Sequence, residues 1–131
     1  MLFHMFKSQE ERRNFGGSAF IEIQHCKLPE STKLEKIISV KEVSHWENDS
    51  LYVSGDDMNL FYERYKDIIT GGVYNNCKSG NMDLYGINFY SREKADLIMN
   101  RIEKEKPQEY EILLRWLKSG TDYIGFYVLG V

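Results

Sequence analysis

Proline and cysteine are scarce in this chain, with two of each in 131 residues. So few prolines beside 42% hydrophobic residues argue against a disordered polypeptide. Two cysteines, Cys26 and Cys77, are too few for a disulfide scaffold, and reduced thiols are the expectation. There is no Cys-x-x-Cys and no His-x-x-x-His. The histidines His4, His25 and His45 are scattered, and the adjacent pair His25-Cys26 in a strand would point to opposite faces. A zinc site would need convergence with distant Cys77, so neither metal nor cofactor is expected. A basic excess is also missing: 17 basic against 20 acidic residues leave a formal charge of −3, which argues against binding to nucleic acid. No long hydrophobic run occurs. Met1 to Phe6 is apolar but short, and Glu10 and Glu11 follow, which fits neither a signal peptide nor a membrane span. Gly71-Gly72 follow a helical pattern rather than open one, so they are not a phosphate loop. The expectation is a soluble, cytoplasmic chain forming one domain over residues 1–131, with no membrane partner.

What is present is a patterned, aromatic-rich chain. Ala19 to Cys26 alternates Phe20, Ile21 and Ile23 with Glu22 and Gln24, which reads as a strand. The β-branched run from Leu34 to Val43 predicts a second strand, and Leu51 to Val53 a short third. Asp56 or Asp57 is expected to cap a helix over 57–70, with Met58, Phe61, Tyr65, Ile68 and Ile69 along its core stripe. Gly71 stops it. Val73 to Met82 reads as loop and Leu84 to Tyr90 as strand. Ser91 caps the next helix, whose stripe is Ala95, Ile98, Met99 and Ile102. Pro107 fits the first position of a further helix carrying Tyr110, Leu113, Leu114 and Leu117. Tyr123 to Val131 is apolar on both alternating faces, the mark of a strand covered on both sides. Residues 1–17 fit no single pattern. This order predicts an α+β fold, a mainly antiparallel sheet with about three helices packed on it.

The charge is distributed unevenly. Glu47 to Tyr90 holds seven acidic and three basic residues, whereas the flanking segments are close to balanced. Within it, Leu60 lies off the stripe centred on Phe61 and Tyr65, beside Glu63 and Asp67, which are four apart and so share a face. Two carboxylates around a leucine would suit a basic partner; alternatively Leu60 is tucked beneath a loop. Asp56, Asp57, Tyr74 and Asp83 complete the candidate partner-binding set. A second candidate is a polar pocket formed by Tyr74, Asn75, Asn76, Asp83 and Tyr85, against which stands the ordinary role of Asn and Gly in turns. Ile112 and Trp116 form a second apolar pair on the last helix, either sandwiched between layers or exposed at an interface.

The size, the acidic middle and the phrases MDLYGINFYS and GFYVLGV give the chain a character similar to the immunity proteins of bacterial toxin systems, such as those of contact-dependent growth inhibition. That resemblance implies a cytosolic, non-catalytic binder, monomeric or weakly dimeric. It would meet one cognate toxin domain, often basic, and block its activity. Asp56, Asp57, Leu60, Glu63, Asp67, Tyr74 and Asp83 would then form the contact. The competing expectation is a small enzyme or ligand-binding domain around Tyr74, Asn75, Asp83 and Tyr85.

Overall fold

The computed structural model describes residues 1–17, 19–74 and 78–131. Among these residues six strands form one antiparallel sheet: β1 (Phe20–Cys26), β2 (Leu51–Ser54), β3 (Gly72–Tyr74), β4 (Lys78–Gly80), β5 (Ile87–Ser91) and β6 (Gly125–Leu129). Their order is β2-β1-β6-β5-β3-β4. Five α-helices accompany them: α1 (Gln9–Phe15), α2 (Leu34–Ile37), α3 (Met58–Tyr65), α4 (Arg92–Glu105) and α5 (Tyr110–Lys118). The α+β class and the antiparallel sheet are as the sequence predicts. The helix count is higher because two helices are too short to leave a periodic pattern.

Alternation along β1 and β6 divides the sheet into two covered faces. Ile21, Ile23, Phe126 and Val128 meet Phe61 and Tyr65 of α3, Ile98 and Ile102 of α4, and Leu113 and Leu117 of α5. On the other face Cys26, Tyr127, Leu129 and Phe89 meet Ile37 and Val43. This double cover explains why the last strand is apolar on both sides. Residues at the chain start extend the sheet through a bridge between His4 and Tyr52, which blunts the free edge of β2. The carboxylate of Glu109 holds the start in place by accepting the backbone N–H groups of Leu2 at 2.6 Å and Phe3 at 3.3 Å.

Several local expectations are corrected. Leu34 to Val43 is not a strand: it makes α2 and a series of turns, with Val40 73% exposed. Both edges of β1 are already paired, by β2 and β6, so this segment has no open edge beside β1 and packs instead through Ile37 and Val43. Neither Asp56 nor Asp57 caps a helix with its side chain. Ser54 Oγ accepts the Asp56 N–H at 3.3 Å, a 3-10 turn Gly55–Asp57 follows, and α3 starts at Met58. That helix ends at Tyr65 rather than residue 70, although Ile68 and Ile69 stay buried and Gly71 adopts the expected left-handed φ of 78°. Val73 to Met82 contributes β3 and β4 to the sheet edge rather than forming only loop. The strand expected over Leu84 to Tyr90 begins at Ile87, because residues 83–86 turn. Pro107 precedes α5 instead of opening it, and its carbonyl accepts the Tyr110 N–H. Ser91 caps α4 as expected, its hydroxyl accepting the Lys94 N–H.

Cys26 is fully buried, 3.5 Å from the Tyr127 hydroxyl, which donates to the Ile37 carbonyl at 2.6 Å. Cys77 lies outside the described residues. In the native protein Cys26 should resist a thiol reagent, and after denaturation without reductant both thiols should titrate as free. A closed bridge between them would contradict the expected reduced state.

Candidate functional site

The residues expected to bind a partner divide between two places. Leu60 and Glu63, three apart, lie on one flank of α3, whereas Asp56 sits in the 3-10 turn before the helix and Asp67 in the turn after it. Asp56, Glu63 and Asp67 are exposed, and Asp57 is half-buried at the helix start. Leu60 is half-buried and packs against the main core, so it is neither a bare surface anchor nor a full core residue. Glu63 lies 3.9 Å from Arg64, while Asp56 and Asp67 make no ion pair among the described residues. The Asp67 carbonyl accepts a hydrogen bond from Arg101 of α4, which fixes the turn behind the helix.

Asp83 and Tyr74 are used differently. The Asp83 carboxylate accepts the Tyr85 N–H at 2.9 Å, and Asn88 clamps the Asp83 backbone with two bonds of 2.7 Å. This is a side-chain-stabilised turn entering β5. Tyr85 is 71% exposed, and Tyr74 is half-buried in β3, next to Gly80 of β4. Asn75 and Asn76 lie outside the described residues. Asp83 thus shapes the turn that carries Tyr85, and among the described residues no hydrogen bond joins either to Tyr74.

Trp116 is buried rather than exposed. Its ring stacks on His25 at 3.8 Å, and its Nε1 donates to the Asp49 carbonyl at 2.7 Å. The cover comes from β1 and the Asp49 turn, while Leu2 and Phe3 enter the same core. Burial holds the His25 pKa down to about 4, opposed by the nearby Asp49 and reinforced by Lys27. The depressed value fixes the sign of its effect on folding. Above about pH 6.5 the imidazole is neutral folded or unfolded. As pH falls towards 4 the unfolded chain takes the proton first, and up to about 3 kcal/mol of stability should be lost. Glu22 acts in the opposite sense, because its raised pKa makes the folded state the better proton binder as pH falls towards 4.5. Denaturant titrations between pH 4 and 7 should therefore show a smaller acid-side loss in His25→Gln than in the parent. Equal slopes would contradict a buried neutral His25.

The sequence reading missed one centre. Glu22 and Gln24 look like the solvent side of an alternating strand, yet both are buried. Glu22 Oε2 accepts from Ser50 Oγ at 2.7 Å and Gln24 Nε2 at 2.8 Å, and the Tyr52 hydroxyl, 3.2 Å away, shares its one proton with the closer Glu47 carbonyl at 2.8 Å. Oε1 is enclosed, without a hydrogen-bond partner among the described residues. Burial raises the carboxyl above its ordinary pKa, against these three hydrogen bonds and the positive charge of Arg12. Above it lies a hollow of about 290 Å³ lined by Arg12, Phe20, Glu22, His45 and Leu129. The Arg12 guanidinium crosses the rings of Tyr52 at 5.2 Å and Trp46 at 5.3 Å, and donates to the His45 carbonyl at 3.0 Å. The only sequence signal for this centre was the pair of polar residues inside an apolar strand, together with the buried anchors Ile37 and Val43 that cover its face.

Among the described residues, no group of three or more His, Cys, Asp or Glu is placed to hold a metal ion. None of their helices is long and apolar enough to cross a membrane. No protein family, curated protein or solved structure matches this chain.

Proposed function

We propose that this chain is a toxin-neutralising immunity protein, a cytoplasmic binder that docks on a cognate basic toxin domain and blocks its activity without chemistry of its own. The observation that carries the reading is the α3 flank. Asp56 and Asp67 are exposed without ion pairs among the described residues, Glu63 accompanies them, and Leu60 sits half-buried between them. Exposed carboxylates on a helix and in the turns at its two ends steer a basic partner, and a leucine already seated in the scaffold offers its free side at small entropic cost. Arg64 and Lys66 dilute the negative field, so the reading depends on local placement rather than on total charge. Asp57, Tyr74 and Asp83 would serve at the margin. The free protein is expected to be monomeric or weakly dimeric.

The two kinds of contact separate kinetically. Reversing Glu63 and Asp67 together to Lys should slow association with a basic partner by about tenfold at low ionic strength, and added salt should produce the same loss in the parent. Leu60→Ala should instead speed dissociation. Surface plasmon resonance at two salt concentrations measures both rates. Unchanged association in the double reversal would sink the α3 contact.

A second reading, a small ligand-binding domain, draws its support from the hollow over Glu22 and not from Tyr74, Asp83 and Tyr85.

A further inference from the structure

Two groups of opposite charge border the hollow above β1 without touching each other. On its floor is Glu22, 3% exposed, with one carboxyl oxygen supplied with donors and the other with none among the described residues. On its rim is Arg12, which makes no ion pair among the described residues and spends one N–H on the His45 carbonyl. A buried acceptor left unpaired is costly, and a guanidinium carries five donors. The space between them, about 290 Å³, sits at the small end of the range for ligand sites. Its walls are mixed: Phe20 and Leu129 are apolar, while Ala19 and Gly130 bring the chain alongside.

We infer that this hollow binds a small zwitterion, a free amino acid, with its ammonium directed to Glu22 Oε1 and its carboxylate to the Arg12 guanidinium. A plain amine would answer Glu22 but meet the positive charge of Arg12. A plain acid would answer Arg12 but leave Glu22 Oε1 without a donor. A molecule carrying both ends satisfies both groups, and the apolar wall takes a small side chain. Oε1 is enclosed, so an ammonium reaches it only if side chains around Glu22 move. Arg12 on the rim is free to adjust to a ligand: α1 has no buried residue, and among the described residues Arg12 is held by one hydrogen bond and by the faces of rings. The Ser50 and Gln24 donors on Oε2 meanwhile hold the Glu22 carboxyl in place, which is the preorganisation a small ligand needs. The inference rests on the ligand-binding reading and on a different part of the molecule from the α3 flank.

The test is a titration of the isotope-labelled full chain with each common L-amino acid in turn, followed by NMR. At least one should give saturable shifts at Phe20, Glu22 and Arg12, with a Kd below about 1 mM. Glu22→Gln, which keeps the size and removes the charge, should weaken that binding by about tenfold or more. Arg12→Gln lies on an exposed helix and should weaken it similarly even if the Glu22 variant is unstable. The amine and the acid that each retain only one end of the best ligand should also bind at least about tenfold more weakly. Absence of saturable shifts at these residues, binding unaffected by both variants, or an amine binding as well as the amino acid would overturn the inference. None of these outcomes depends on whether the α3 flank meets a protein.

Discussion

Phe61→Ala should lower folding stability by about 3–5 kcal/mol, while Leu60→Ala one position away should cost only about 1 kcal/mol. Phe61 is completely buried, edge-on to Phe3 at 6.0 Å and stacked with Tyr65 at 5.5 Å. Removing its ring leaves a cavity where α3, the chain start and the sheet meet. Tyr65 cannot easily move to fill it, because its hydroxyl is tied to the Gln108 carbonyl at 2.6 Å. Leu60 buries only part of its side chain, so truncation removes less apolar contact and leaves no enclosed void. Chemical denaturation of the two variants measures the difference. Comparable losses would place Leu60 in the core and remove it from the partner surface.

Gly125→Ala should cost about 3 kcal/mol or more. Gly125 opens β6 between Cys26 of β1 and Ser91 of β5. A Cβ there would lie 2.0 Å from the Tyr90 carbonyl oxygen and 3.0 Å from the Phe89 ring. The backbone oxygen belongs to the neighbouring strand, so relief requires the two central strands to shift together. Gly17→Ala is the control. Its φ of 78° disfavours a side chain, but nothing lies within 4 Å, so the expected cost is only about 1–2 kcal/mol. Thermal and denaturant unfolding of both variants distinguish the effects. A Gly125→Ala protein as stable as Gly17→Ala would mean that the central strands yield more readily than their packing implies.

These contrasts also mark where the sequence was legible. β1 was readable from its alternation of apolar and polar residues, β6 from its unbroken apolar run and α4 from its helical stripe and the Ser91 cap, although both strands are buried along almost their whole length. The α3 stripe was readable for the same reason, although its length was not, since Ile68 and Ile69 remain buried in the turn that continues its direction. Leu34 to Val43 misled because β-branched residues report a preference for a pleated surface only when an edge is free to accept them. Strands β3 and β4 are three residues each, too short for alternation to register. Among the site residues, the α3 flank was visible in helical spacing. The proposed grouping of Tyr74 with Asp83 and Tyr85 was drawn from sequence proximity, and its members Asn75 and Asn76 lie outside the described residues. The Glu22 centre was hidden for a different reason. Its partners Gln24, Ser50, Tyr52 and Arg12 come from three separate segments, and only their convergence turns a polar strand position into a buried carboxyl.

The central claim, that the α3 flank recruits a basic protein, is tested most directly by parallel affinity capture from the native host. Tagged parent chain and the Glu63→Lys, Asp67→Lys double variant would be used at low salt, with retained proteins identified by mass spectrometry. The account predicts that the parent retains a basic toxin domain, that moderate salt releases it, and that the double variant fails to retain it while remaining as stable as the parent. Retention of the same protein by both, or recovery of no protein by the folded parent, would contradict it.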